Sequence, residues 1–399
     1  MTALQIIFWL LLFVVFYAYV GYGILLFLII KTRRLFGKGK PYEGNPDYEP
    51  EVTLLVAAFN ERDYVDMKVR NSLDLDYPAS KLKLIWVTDG SDDGTPDYIR
   101  ERYPMVEVLH QPERRGKIAA MNRAVHFVKT PIMVFSDANT ILGKQSVRLI
   151  VDMFRNPKVG CVSGEKRIKQ KDAETAAGAG EGLYWKYEST LKKWDAEWYS
   201  VVGAAGELFA VRTDLFEDVE PDTLLDDFII SLRIAMKGYT IQYNPEAYAM
   251  ETASANVKEE LKRKIRISAG GIQSIVRLRK LLNVFRYGRL SFQYISHRVL
   301  RWSLAPLSLL LLIPINILLF LLVPEGFLQW LYGLLLAGQL LFYTAALTGW
   351  FLENRQIKLK LLFVPYYFFI MNYSVFMGFL RYLKKTQSVN WERAKRAGG

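Results

Sequence analysis

The 399-residue chain has one cysteine, Cys161, which excludes an intramolecular disulfide and any cysteine-based zinc site. Histidine is nearly as scarce: His110, His126 and His297 stand far apart, without the spacing of a metal-binding pair. A catalytic base or a metal site must therefore lean on carboxylates. No Ser-His or Cys-His arrangement is recognisable, so nothing points to a covalent nucleophile. Neither G-x-G-x-x-G nor G-x-x-x-x-G-K-[ST] follows the first strand-like run, so a dinucleotide fold and a P-loop are not indicated. Internal repeats and long low-complexity tracts are also missing.

Apolar and basic residues are plentiful, at 51% hydrophobic and a net charge of +12, but they are unevenly spread. Leu4 to Ile30 is a nearly unbroken apolar run, followed at once by Lys31, Arg33 and Arg34. It exceeds the ~20 residues that span a bilayer. It is too long for the apolar region of a signal peptide, so a retained transmembrane helix is expected. The positive flank places its C-terminal end in the cytoplasm. Ala305 to Val323 and Phe327 to Phe351, joined by Pro324 to Gly326, read as a transmembrane hairpin. Leu361 to Leu380 is apolar as well. Were it to span, the basic tail would lie outside, so a helix on or re-entering the cytoplasmic face is expected.

The mixed stretch between these runs reads as a soluble α/β domain. Val52 to Ala58, Leu82 to Thr88, Val106 to His110 and Ile132 to Ser136 are short apolar runs, as expected of buried strands. Lys117 to Val128 places Ile118, Met121, Ala124, Val125 and Val128 on one helical face. Strands alternating with helices indicate a parallel sheet. Polar clusters then fall at the carboxyl ends of strands, where open α/β sheets bind ligands: Asn60 and Glu61; Asp89 with Asp92 and Asp93; Asp137 with Asn139. Asp89, Ser91, Asp93 and Gly94 imitate half of a calcium loop, but its twelfth position is Arg100, where calcium needs a carboxylate. Together the clusters suggest recognition of base and ribose, with Asp137 and Asn139 offering hard oxygen ligands to Mg²⁺ or Mn²⁺.

In this order "VAAFNE", "VTDGSDDGT", "RRGKIAAMN" and "SDAN" resemble the nucleotide-binding half of glycosyltransferase family 2. Downstream, "GAAGELFAVR" resembles the family's acceptor-side loop and "LLDDFIISLRIAMKGY" the helix that carries its general base. The resemblance runs from about residue 50 to 290. The flanking membrane segments are like those of processive synthases of hyaluronan, cellulose and poly-N-acetylglucosamine.

The resemblance implies a GT-A-type α/β domain inserted between transmembrane helices, with cytoplasmic interfacial helices. It implies an inverting transfer from a UDP-sugar to a membrane-associated acceptor, giving a β-linked polysaccharide or glycolipid. By the same resemblance, Ala58 and Glu61 line the uridine pocket, Asp89 recognises the base and Lys117 lies beside the nucleotide. Asp137 contacts ribose and metal, and Asn139 stands where the family has its second metal carboxylate. Asp227 matches the general base, with Asp226 beside it. Both also sit where a helix N-terminus favours carboxylates. In place of the synthases' "QxxRW" the chain has "RKIRI": the arginine is kept as Arg266, while Arg263 replaces Gln and Ile267 replaces Trp. An arginine fork still suits a departing diphosphate, whereas the aromatic surface for a sugar ring is lost. Trp391, in the tail, matches a gating segment over the donor pocket.

From Ala255 to Leu290 there are ten Lys or Arg and two Glu, a basic amphipathic stretch suited to anionic lipid. Nucleic acid is not an expected partner; membrane lipids, a lipid or growing glycan acceptor, and accessory export subunits are. The expected organisation is a transmembrane helix at 1–34, a linker at 35–50, and the cytoplasmic catalytic domain at 51–254. Basic interfacial helices follow at 255–298, the transmembrane hairpin at 299–352, and an interfacial or re-entrant helix with its basic tail at 353–399. The membrane is expected to be the bacterial inner membrane. The competing expectation is a nucleotide-binding membrane subunit that does not turn over.

Overall fold

A computed structural model describes residues 1–37, 47–168, 176–252, 257–354 and 360–385. The chain enters through α1 (Thr2–Leu35), which is broken at Tyr17–Gly21 by a π-turn. It then builds one eight-stranded sheet from β1 (Val52–Ala58), β2 (Leu82–Asp89), β3 (Glu107–Gln111), β4 (Ile132–Asp137), β5 (Ile141–Leu142), β6 (Val159–Ile168), β7 (Leu208–Arg212) and β8 (Thr240–Glu251). Their spatial order is β3-β2-β1-β4-β7-β6-β8-β5.

Every residue of β1 is buried, which is why "VTLLVAA" is a continuous apolar run rather than an alternating one. Strands β3, β2, β1 and β4 are parallel, so their carboxyl ends open on one edge. On one face pack α2 (Arg62–Leu73), α3 (Thr95–Arg102) and, further along the chain, α5 (Ser146–Met153), through Val65, Ile99 and Ile150. The other face is covered by α4 (Lys117–Val125), through Ile118, Met121 and Ala124. These strands and this helix lie where the sequence puts them, to within a few residues. The stretch expected as one acceptor-side loop is divided: Leu208–Arg212 forms β7, antiparallel to both β4 and β6. That strand depends on partners far away in the chain, so no local periodicity announces it.

Helix α6 (Ala176–Trp198) runs alongside α1, and α7 (Asp226–Met236) packs on the same sheet face as α4. Gly238, at φ +98°, follows as the stop. Beyond the sheet come α8 (Val257–Arg277) and α9 (Arg289–Tyr294), the latter continuing through a π-turn at Ile295–Val299. Next are α10 (Leu304–Leu322), α11 (Phe327–Asn354) and α12 (Lys360–Lys384). Among the described residues four helices, α1, α10, α11 and α12, are long and apolar enough to cross a membrane. α12 also packs along α8, where Gly378 admits the Ala269 backbone to 2.7 Å from the place a Cβ would occupy. Most of the expected linker and the tail with Trp391 lie outside the described residues.

Candidate active site

The acidic residues at the end of β2 and in the loop after it differ in what holds their carboxylates. Asn60 and Asp92 bond each other reciprocally: Asn60 Nδ2 donates to Asp92 Oδ1 at 2.8 Å, and the Asp92 N–H to Asn60 Oδ1 at 3.0 Å. Asp93 accepts from the N–H groups of Arg62 and Thr95, at 3.1 and 3.0 Å. Both carboxylates are thus occupied by the turn, the ordinary behaviour of Asp before a helix. Asp89 differs. It is 3% exposed, and its Oδ2 accepts from the N–H groups of Arg115 and Gly116 at 2.8 and 2.6 Å. Its Oδ1 is buried without a hydrogen-bond partner among the described residues, with Arg123 Nη1 at 3.8 Å. A buried, unsatisfied carboxylate oxygen is costly unless a ligand donor reaches it. Ala58 lies beside Asp89, at the end of the neighbouring strand.

A cavity of about 1170 Å³ opens beyond the strand ends. Glu61, Lys117, Asp137, Asn139, Asp226, Asp227, Arg263 and Arg266 all line it, so the structure brings together most of the residues singled out in the sequence. Lys117 Nζ lies 2.9 Å from Asp137 Oδ1 and 3.6 Å from Asp226 Oδ2. Burial opposes its charge, but Asp137, Asp226 and Asp227 outweigh that and hold the ammonium well above the usual lysine range. Behind Asp137, the fully buried Lys68 donates to Ser136 Oγ (2.7 Å), Thr140 O (3.0 Å) and Thr140 Oγ1 (3.1 Å). It pins the loop that presents Asp137 and Asn139, and burial pushes its amine down to about 7 against the pull of Asp137.

Asp226 and Asp227 occupy the first turn of α7. Asp227 Oδ1 accepts from the Phe228 N–H at 2.8 Å. Its Oδ2 faces Gly206, where a Cβ would stand only 3.1 Å away, so glycine there keeps the carboxylate open to the cavity. Ser231 ties the turn to the stretch before β7, accepting from the Ala204 N–H at 3.0 Å and donating to the Asp227 carbonyl at 2.6 Å. Burial, then the adjacent Asp226, push the Asp227 carboxyl up to about 7, with Lys117 opposing. A carboxylate titrating near neutrality is matched to accepting a proton.

Arg263, also in the cavity lining, is held in a fork by Glu260, with both bonds at 2.9 Å. Arg266 is the exposed one of the pair, and Ile267 lines the cavity beside it. Sequence reasoning passed over an ion cluster here. Lys166 of β6, 4% exposed, reaches Glu207 at 3.0 Å and also pairs with Glu251 of β8. Burial works against ionisation of Glu207, but Lys166 holds its carboxyl down at about 2. These residues come from three separate stretches of chain, so no spacing signals them.

No cluster of three or more His, Cys, Asp or Glu that could hold a metal exists among the described residues. The oxygen donors at hand are Asp137, Asn139 and Asp226, whose buried Oδ2 has no hydrogen-bond partner among the described residues. Hard oxygen donors in small number fit a Mg²⁺ or Mn²⁺ that takes most of its shell from water and substrate phosphates.

The family model described as "Glycosyltransferase like family 2" matches residues 50–270. The poly-beta-1,6-N-acetyl-D-glucosamine synthase of Staphylococcus aureus (strain MSSA476) is 26% identical over 255 residues, 62% of this chain and 61% of that protein. Its Staphylococcus epidermidis namesake is 24% identical over 233 residues, 57% of this chain and 56% of that protein. The chain therefore spans about three-fifths of the length of these curated relatives. Among solved structures, the mannosyltransferase PcManGT from Pyrobaculum calidifontis, in complex with GDP-Man and Mn²⁺, aligns over 96% of this chain and 100% of that one. The TM-score is 0.70 at 22% identity, which establishes a shared fold.

Proposed function

The chain belongs to glycosyltransferase family 2, and from that membership we propose that it is a membrane-bound, inverting transferase using a UDP-sugar. The observation that carries this reading is Asp227: a carboxyl raised toward neutrality, opened to the cavity by Gly206, across from Lys117 and Asp137. Asp227 takes the proton of an acceptor hydroxyl as that oxygen attacks the anomeric carbon. The bond from this carbon to the diphosphate breaks, and its electron pair leaves with the nucleotide. A single displacement inverts the centre, so an α-linked donor yields a β-linked product. Asp89 Oδ1 accepts the ring N–H that uracil offers, and Glu61 and Ala58 flank the base. Lys117 and Arg266 face the negative charge of the diphosphate, with Arg263 braced behind by Glu260. A bound Mg²⁺ or Mn²⁺, held by Asp137 and Asn139 with Asp226 beside them, would neutralise part of that charge.

The product is a β-linked polysaccharide or a glycolipid, made on the cytoplasmic face of a bacterial inner membrane. Lys31, Arg33 and Arg34 after the first span support that orientation, and the packing of α12 along α8 supports its interfacial placement. Accessory export subunits are further partners of a polysaccharide product.

The test is nucleoside diphosphate release by the full-length protein over a panel of UDP-sugars. GDP-mannose is included because the fold neighbour holds that nucleotide. Release from one UDP-sugar, stimulated at least tenfold by Mg²⁺ or Mn²⁺, is the expected result. Nucleotide that binds but is never released, whatever acceptor is added, would favour a silent subunit instead.

A further inference from the structure

The stretch from Phe216 to Leu225, which leads into α7, has no helix or strand of its own. Its backbone groups have no ladder to join, so their partners come from turns and from side chains elsewhere in the chain. Two side-chain amides each bond this stretch reciprocally. Asn122 of α4 donates from Nδ2 to the Val219 carbonyl at 2.8 Å and accepts from the Val219 N–H at 3.1 Å. Gln273 of α8 donates from Nε2 to the Asp222 carbonyl at 2.8 Å and accepts from the Leu224 N–H at 3.0 Å. One turn further along α8, Arg277 reaches Thr223 Oγ1 and Asp222 Oδ1, each at 2.6 Å. Gly270, one turn back, lets the stretch lie close. A Cβ there would stand 2.7 Å from Leu225 Cγ and 2.9 Å from Leu224 Cβ.

These bonds join the three helices that carry the site. Asn122 stands on the helix that begins with Lys117. Gln273 stands on the helix that presents Arg263 and Arg266. The stretch they hold ends at Leu225, next to Asp226 and Asp227 in the first turn of α7. Thr223, Leu224 and Leu225 line the cavity, whereas neither amide does. Both side chains bond only backbone among the described residues, and Gln273 is 8% exposed. Apolar packing through Phe228, Ile229 and Leu232 keeps α7 on the sheet, but such packing is non-directional. Hydrogen bonds have a preferred length and direction, so they fix where along its axis the first turn stands.

We propose that Asn122 and Gln273 are positioning residues for the transfer. By holding the stretch that enters α7, they set the distance from Asp227 to the donor site of Lys117 and Arg266. This rests on the transferase reading above and adds the residues that keep its base in register. A base acts only within hydrogen-bond reach of the proton it takes. A misplacement of roughly 1 Å, caused far from the chemistry, costs about a hundredfold in rate. Because the amides stand on the helices of Lys117 and of the arginines, they tie the base to the diphosphate site directly, not through the sheet.

Gln273→Met is nearly isosteric, leaves the charge unchanged and removes both bonds from α8. The test uses the full-length protein and the UDP-sugar that gives the fastest nucleotide release. The variant is expected to lower kcat at least tenfold, with the KM for the donor and the calorimetric affinity for UDP unchanged. Asn122→Ala is expected to lower kcat in the same way. The two variants lie on different helices, so a folding defect in one leaves the other to decide. Hydrogen–deuterium exchange supplies a readout independent of turnover. The Phe228 and Ile229 amides, bonded to Asp227 Oδ1 and to the Leu225 carbonyl, should exchange at least tenfold faster in Gln273→Met, with β1, β2 and β4 unchanged. Unchanged kcat in both variants, a kcat loss matched by an equal loss of UDP affinity, or unchanged exchange at those amides would overturn the inference. Failure of the transferase reading is distinct: no donor would then turn over even in wild type, while the exchange comparison still decides whether Gln273 sets the first turn of α7.

Discussion

Asp227→Asn is expected to lower kcat by about a thousandfold, the scale on which a positioned base contributes. The substitution is nearly isosteric. Asn keeps an oxygen for the Phe228 N–H, and the Ser231 bond to the Asp227 carbonyl involves only backbone on that side. What it loses is the capacity to take a proton. Stability separates this role from a structural one. The folded-state pKa of Asp227 lies above its unfolded value, so the stability it contributes is complete at acid pH and is lost as pH rises through about 7. Asn avoids that loss. At pH 8 the variant should therefore melt above wild type, by roughly 2–4 °C for each kcal/mol relieved, and only toward pH 4, the range of the unfolded carboxyl, should the two converge. A variant that melts lower at both pH values and keeps its activity would make Asp227 a packing residue.

Asp89→Asn is expected to weaken UDP binding tenfold to a hundredfold, measured by calorimetry on the full-length protein. Removing one buried hydrogen bond to a charged acceptor costs about 1.5–3 kcal/mol. Asparagine can still accept from the N–H groups of Arg115 and Gly116 with one oxygen, so the loop after β3 keeps its anchor. Its other atom becomes an NH₂ that meets the base's N–H donor to donor. Asp89→Ala strips the anchor too, and should cost stability as well as affinity. Equal UDP affinity in wild type and Asp89→Asn would remove Asp89 from the base pocket.

Much of this was legible locally. β1, β2 and β4 are continuous apolar runs because each is buried from both faces, and chemistry-bearing residues follow them at their carboxyl ends. Lys117 and Asp227 could be named because "RRGKIAAMN" and "LLDDFIISLRIAMKGY" resemble family motifs, and the structure sets each at the start of a helix. The reading of Asp92 and Asp93 as part of a ligand cluster is corrected by the structure: both carboxylates satisfy the turn, a use that composition does not separate from ligand binding. Lys68, Lys166 and Glu188 escaped notice because a buried charge is defined by partners tens of residues away. β7 was hidden for the same reason, since its pairing with β4 and β6 is entirely long-range.

The pH dependence of kcat/KM for the full-length enzyme, from pH 5 to 9, tests the assignment of the base most directly. Only the ionised form of Asp227 accepts a proton, so activity should fall about tenfold per unit below a turning point near 7 and level off above it. The residual activity of Asp227→Asn should lack that acid limb. A flat wild-type profile, or the same acid limb in the variant, would contradict the account.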